Sequence, residues 1–431
     1  MSFQTGLAGL NTTNRSLDVI GNNIANANTI GMKSSRAEFS NLIASSMGAD
    51  GMQTAGLGVN STTTSQNFAQ GSIIATGNDL DIAINGAGFF QLQQPDGSSA
   101  YTRDGAFKLD KFGNFVTNSG AKVMGVPTDI KGNPTNTAIQ PLKLPTGAPI
   151  AANATTSIAA ELNLDARAPL AAGKPAVAAV AAQAGPPAVA AVAAVAAVPP
   201  TTRSTYATSI NAFDSQGAAV PVNLYFERVA STGTGSAAVD NWNVYDSASS
   251  TTPLLTMSFD NTGKLTAPLT STTITIDTPS ATTPSISATL DLSKVTQYGT
   301  PYAVTSLTQD GYVSGELVGM KIGDNGIITA RYSNGQTQAA GKFTLAEFRN
   351  TQGLAPTGGG TWVETYASGT PLTGSPGVGK FGALSSGSLE ESNVDLTAEL
   401  VNMMTAQRAY QANAQTIKTQ DQIMTTLVNL R

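Results

Sequence analysis

The sequence predicts a mainly β protein with α-helical termini: a coiled-coil-like helical part built from the two ends, two nested β domains and an extended linker region. Three observations lead there. Seven-residue apolar series run through both ends of the 431-residue chain. Between them, apolar alternation of period two is cut by short turn signals, which reads as many short strands. Gly and Pro number 43 and 21, so tight turns are plentiful.

The N-terminal helix comes first. Phe3, Leu10, Leu17 and Ile24 recur every seven residues, and Leu7 and Ile20 fill in beside them. That is the seam of a helix packing on a helix. Gly6, Gly9 and Gly21 each weaken it by about 1 kcal/mol relative to Ala. From Leu80 to Val126 the pattern becomes strand and tight turn, with Pro95-Asp96-Gly97 and the stretch Asp110 to Asn114 as turns. Gly311 to Phe348 reads the same way, with turns at Gly323 to Gly326 and Ser333 to Gly335. A further β region, residues 148–292, lies between and includes Val222 to Val229 and Trp242 to Tyr245. The order implies nesting: helix, β, inserted β, β, helix.

Residues 168–200 are low complexity, with Val189, Val192, Val195 and Val198 spaced by three within Ala. The prolines there prevent one continuous helix, so a flexible or polyproline-like surface insertion is expected. The C-terminal series is the stronger one. Leu396, Met403, Tyr410, Ile417 and Met424 recur every seven residues, and Leu400, Ala414 and Val428 form a companion stripe broken by Gln407 and Asp421. Ser392 or Asn393 suits the N-cap, and Asp395 and Glu399 suit the first turns. A helix from Asp395 to Leu430 spans roughly 54 Å at 1.5 Å per residue.

Composition narrows the chemistry. His and Cys are both absent, which excludes disulfides, zinc sites built on Cys or His, and Ser-His-Asp or Cys-His catalysis. Charged residues make up 12%, against roughly 25% in ordinary soluble domains. The net charge of −5 disfavours non-specific nucleic-acid binding. Asp79 and Asp81 are read as a turn with one outward carboxylate. Glu390 and Glu391 are read as solvating the approach to the C-terminal helix. Asp324-Asn325-Gly326 lacks the remaining ligands of a calcium loop, and Gly233-Thr234-Gly235 lacks the strand-then-helix setting of a phosphate loop. Lys33 and Arg36 form no basic cluster. No catalytic residue, cofactor or metal is therefore expected. The start lacks a basic and then apolar signal-peptide pattern. The longest bland apolar run, Ala188 to Val198, is far short of the ~20 residues that span a bilayer, so no membrane insertion and no cleaved signal are expected.

Several motifs carry a resemblance. The segment Asn22-Asn23-Ile24-Ala25-Asn26-Ala27-Asn28-Thr29-Ile30-Gly31-Met32-Lys33 resembles the N-terminal motif of the bacterial flagellar rod and hook axial family, with Met32 where Phe is frequent. Gly86 to Phe90, Tyr101 to Phe107, Gln309-Asp310-Gly311-Tyr312 and Tyr332 to Gln336 are similar to that family too. So is the tail Glu391-Ser392-Asn393-Val394-Asp395-Leu396 with Gln407-Arg408-Ala409-Tyr410-Gln411-Ala412-Asn413. The resemblance covers about residues 1–145 and 300–431.

What the resemblance implies is a self-assembling helical tube. Length and the inserted β domain favour a hook-type member, a flexible universal joint carrying motor torque to the filament. A distal-rod-type member and an extracellular adhesin or surface-layer β protein stand as alternatives. The expected partners are further copies of the chain, the distal rod protein, the hook cap protein, the hook–filament junction protein and the flagellar type III export apparatus; no nucleic acid is expected. The expected place is outside the cell. The expected domains are residues 1–30 (helix of an inner core), 31–71 (extended linker), 72–147 with 293–372 (discontinuous β), 148–292 (outer β), 373–394 (linker) and 395–431 (helix of the inner core). The terminal seams are expected to make the subunit contacts. The motif residues expected to matter are Asn22, Asn23, Ala25, Asn26, Thr29, Gly31, Lys33, Ser392, Asn393, Val394, Asp395, Gln407, Arg408, Tyr410 and Asn413.

Overall fold

A computed structural model describes residues 2–43, 56–147, 149–172, 202–233, 238–278 and 283–429. Strands dominate it, with one long helix at each end: α1, Ser2–Ala25, and α2, Leu396–Asn429. The chain divides into two compact units, residues 1–148 with 317–431, and residues 149–316.

In the first unit, α1 ends in a turn at Gly31, whose φ is +68°. A side chain there would also collide with the backbone of Arg103 and Asp104. Glycine is thus required twice over. Strands β1 (Ser35–Ile43) and β2 (Gly56–Gln66) then pair antiparallel from Ser35–Gln66 to Ile43–Gly56. Much of the 31–71 segment expected as linker is therefore a hairpin. Its Ser and Thr content hid the strands, because apolar alternation is the signal that reveals them.

The strand Phe89–Gln93 shows how the main sheet is packed. Successive residues of a strand point to opposite faces. Phe90 meets Phe107 edge-on at 5.0 Å and lies 6.1 Å from Phe343. Phe89 meets Trp362 at 5.7 Å and Phe348 at 6.1 Å on the other side. Two adjacent aromatics thereby seed two cores, and all of these rings but those of Phe89, Trp362 and Phe348 are at most 2% exposed.

The segment 373–394, also expected as linker, is paired as well. Ala383–Ser386 lies antiparallel to β4 (Ile82–Asn85), and Ser388–Glu390 to β3 (Ile73–Ala75). These strands are three or four residues long and their partners are some 300 residues away, so no local pattern exposes them.

The second unit holds two sheets among the described residues. One runs Thr272–Ile276, Ile286–Asp291, Ser157–Asp165, Thr296–Tyr298, with Ala303–Gln309 also pairing Ser157–Asp165. The other runs Ala207–Phe213, Ala219–Thr232, Val239–Tyr245, Leu255–Phe259, Leu265–Ala267. Ser157–Asp165 alternates strictly, burying Ile158, Ala160, Leu162 and Leu164. They join Leu224, Phe226, Trp242 and Phe259 from the other sheet in one core. This is the packing of a β-sandwich. The expected limit at residue 292 is corrected to 316: Ala303–Gln309 pairs back onto Ser157–Asp165, and Tyr312 and Gly315 bridge to Asn153 and Ile150.

The insertion expected at 168–200 begins later than its composition suggests. Ala168 and Ala171 are buried. Arg228 Nη1 donates to the carbonyls of Ala166 and Ala168 at 2.8 and 2.7 Å, and the Ala171 N–H donates to the Arg228 carbonyl. The remainder, residues 173–200, lies outside the described residues.

Candidate assembly site at the joined termini

The two family-like motifs meet at a buried carboxylate, Glu390, which lies 357 residues from its partner Lys33. Glu390 ends the strand Ser388–Glu390 and is fully buried. Its Oε1 accepts from Lys33 Nζ at 2.5 Å and from the Gly71 N–H at 3.0 Å. Its Oε2 accepts from Arg103 Nη1 at 3.1 Å. Lys33 Nζ also donates to the Ala69 carbonyl at 2.8 Å, and the Arg103 guanidinium lies 5.2 Å over the Phe89 ring. The backbone joins in: the Gly31 N–H donates to the Glu390 carbonyl at 2.8 Å. Gly71 must lack a side chain, because a Cβ would run into the Glu391 carbonyl.

This corrects the reading of Glu390 as a solvated acid. One carboxylate serves two cations, and all three side chains are nearly or fully dry. Burial pushes the Lys33 ammonium below the ordinary lysine value, and Glu390 pulls it partly back. Burial likewise lowers the Arg103 guanidinium. A buried ion cluster of this kind adds little net stability but is costly to break, since the survivors stay buried without a partner.

Amide side chains extend the joint. Asn23 is buried; its Nδ2 donates to the Ser35 carbonyl at 2.8 Å and to Glu399 Oε1 at 3.0 Å, and its Oδ1 accepts from the Ser35 N–H at 2.9 Å. One side chain thus ties α1 to β1 and to the first turn of α2. Asn393 does the same from the other end, accepting from the Ser34 N–H at 2.7 Å and donating to the carbonyls of Asn67 and Ala69. With Asn393 so engaged, the N-cap of α2 falls to Asp395, whose Oδ1 accepts from the N–H groups of Thr397 and Ala398. Ser392 Oγ accepts from the Val394 N–H before the cap. Asn26 turns back to bond Asn22, and Thr29 bonds Asn26.

The helices are placed as follows. α1 and α2 pack on one another: Gly6 approaches Ile417 and Gly9 approaches Asn413. Leu10, Leu17, Ile20, Ile24, Met403, Ala414 and Ile417 are half-buried, while Leu7, Leu396, Leu400, Tyr410 and Met424 are exposed. Phe3 and Val428 lie within the helices, but their side chains are outside the described residues. On α2 the stripe beside Met403 and Ile417 is Glu399, Ala406, Asn413 and Gln420, all half-buried. The expected companion stripe of Leu400, Ala414 and Val428 is divided: Ala414 is half-buried, whereas Leu400 lies with Val401 and Met404, all 49–52% exposed. At 3.6 residues per turn they stand on the side of α2 away from Asn413 and Ile417. Periodicity finds apolar stripes and cannot tell which one the partner helix takes. Ala25, Gln407 and Arg408 are exposed.

Among the described residues, no three acidic groups gather as a metal site, and no helix is long and apolar enough to cross a membrane.

Four family models match the chain in order: flagella basal body rod protein over residues 3–33, flagellar hook protein FlgE/F/G D1 domain over 83–159, flagellar basal body protein FlaE D2 domain over 183–312, and flagellar basal body rod FlgEFG protein C-terminal over 385–430. The flagellar hook protein FlgE of Escherichia coli K12 is 38% identical over 443 residues, covering all of both chains. That of Salmonella typhimurium is 38% identical over 446 residues, again with full coverage. That of Treponema pallidum is 30% identical, covering all of this chain and 99% of the other. The crystal structure of Helicobacter pylori flagellar hook protein FlgE2 shares the fold at TM-score 0.52 and 15% identity, covering 72% of this chain and 98% of that one.

Proposed function

The chain belongs to the flagellar hook protein family, and from that premise we propose that its joined termini are the assembly element of a flexible helical tube. It is a structural subunit of the hook, in the extracellular part of the flagellum. The observation that supports the tube is the exposed apolar face of α2. A helix paired with α1 still presents Leu400, Val401 and Met404 to water. Further copies of the chain would cover that face. A head-to-tail contact that does not close on itself produces a filament.

The reading assigns the terminal helices to the inner wall of the tube and the β units to its outside. Polar, Ser/Thr-rich β surfaces can slide and re-form contacts while exposing little apolar area. Such a tube bends as it rotates and serves as a universal joint between motor and filament. Its neighbours would be the distal rod protein, the hook cap protein and the hook–filament junction protein. Export by the flagellar type III apparatus, without a cleaved signal, belongs to the same reading. The test is electron microscopy of cells lacking their own hook subunit and supplied with this chain. Curved hooks are expected; straight rods would favour a distal-rod role, and no assembly at all would overturn the proposal.

A further inference from the structure

The first unit carries a second apolar surface besides the exposed face of α2. It is a groove of about 610 Å³ in which the apolar Phe68, Leu354 and Trp362 share the lining with polar side chains such as Asn22, Asn26 and Gln66. Gly358, Gly359 and Gly360 also line it, with open space where their side chains would be. Its size is that of pockets that enclose a few large apolar groups. The one charged residue lining it is Asp18, which is exposed on α1.

The exposed face of α2 has the opposite charge. Arg408 follows Met404 by four residues and Val401 by seven, so it stands beside them on the helix. Arg408 is exposed, and neither it nor Asp18 forms an ion pair among the described residues. It also lies in the Gln407–Asn413 motif, whose Arg408 has no role in the joint at Glu390. The chain therefore displays a partly apolar groove edged by a carboxylate and an apolar ridge edged by a guanidinium.

Resting on the reading of the chain as a tube-forming subunit, we infer that the groove of one copy receives the Leu400–Val401–Met404 ridge of the next, with Asp18 and Arg408 paired across the contact. Because groove and ridge are different patches, the contact is heterologous and leaves a free groove and a free ridge at the two ends of any assembly. Growth is then open-ended. The apolar groups supply the attraction, and the charge pair fixes register and rejects misaligned copies.

Two experiments test this, both in cells lacking their own hook subunit. In the first, Asp18→Arg and Arg408→Asp are made singly and together. Like charges then face each other in each single variant, so hook number should fall about tenfold or more, and the double variant should recover most of it. Singles that assemble normally, or a double no better than its worse parent, overturn the pairing while leaving the tube reading intact. Absence of hooks from the unaltered chain would instead refute the tube reading. The second experiment exploits the absence of cysteine. Val401→Cys and Thr361→Cys together, oxidised in isolated hooks, should give a ladder of cross-linked multimers. A mixture of the two single variants should give dimers and nothing longer. Hooks that form yet yield no cross-link place the ridge somewhere other than this groove.

Discussion

Replacing Glu390 with glutamine keeps the shape of the cluster and removes the carboxylate that pairs with Lys33 and Arg103. Lys33 Nζ at 2.5 Å and Arg103 Nη1 at 3.1 Å then lose their counter-ion while remaining buried. Glutamine still offers one oxygen, but its Nε2 must face either Arg103 or both Lys33 and the Gly71 N–H. Removing one partner of a buried ion pair costs about 3–5 kcal/mol. At about 2–4 °C per kcal/mol for a unit of this size, melting should fall by roughly 6–20 °C. The chain supplies its own probes, for it has two tryptophans. Trp242 lies in the core of the inserted unit, and Trp362 lies beside Phe89. In a Trp242→Phe background, the fluorescence of Trp362 reports the first unit alone. Lys33→Met is the internal comparison. It leaves Arg103 and Glu390 as a balanced pair, so it should cost less than Glu390→Gln. Glu391→Gln, on an exposed side chain, should move stability by no more than about 0.5 kcal/mol. A Glu390→Gln chain that melts within 2 °C of its parent would refute the claim that the buried charges depend on one another.

Three further outcomes are expected. Met404→Glu should abolish hooks with little change in the melting of the free chain, because the carboxylate is exposed until a neighbour buries it at a cost of several kcal/mol; normal hooks by microscopy would contradict this. Asp310 is lifted by partial burial, but the Thr156 hydroxyl and the N–H groups of Ser157 and Thr156 hold its carboxyl below the ordinary value. A depressed folded value means that stability is complete above the unfolded value near 3.9 and is lost as pH falls through the folded one. Melting followed at Trp242 should therefore drop below about pH 4, and Asp310→Asn should shrink that drop and cost about 1 kcal/mol at pH 7. Deletion of residues 173–200, which spares the buried Ala168 and Ala171, should leave motility nearly intact, since loop-closure entropy changes only slowly with the length of a connection; non-motile cells would show that the stretch makes an essential contact.

What the sequence reveals here follows from the range of each interaction. The terminal helices are legible because a helix writes its packing face into residues three and four apart, as Met403 with Ala406 and Asn413 with Ile417 do. The hairpins are legible where glycine marks a turn, as at Asp110 to Asn114, whose Asp110 carboxylate accepts from the N–H groups of Phe112 and Asn114. The hairpin of β1 and β2 was hidden because Ser61 to Gln66 of β2 holds no apolar residue and those in β1, such as Ala37 and Phe39, are too few to show a period. The strands Ala383–Ser386 and Ser388–Glu390 were hidden for a different reason. Each is too short to show a period, and its hydrogen-bond partners lie near the other end of the chain.

Glu390 combines both difficulties. Beside Glu391 and just ahead of a helix, it has the local character of a solvated acid at a helix N-terminus. Its true setting is defined by Lys33, Arg103 and Gly71, none of which is near it in sequence. Charge counting within the cluster says more than burial alone. Two cations against one carboxylate is not the arrangement that maximises stability; apolar residues of similar volume would serve that end as well or better. What the cluster does provide is conditionality. Lys33 ends the N-terminal motif, Arg103 follows the strand Ser99–Thr102 and Glu390 precedes α2, so the buried charges are neutralised best only when all three segments are in place. A subunit with one terminus undocked leaves an ionised group in a dry site or opens the site to water. That penalty links the two helices, which make the subunit contacts in the proposed tube, to the β unit, which must carry torque away from them.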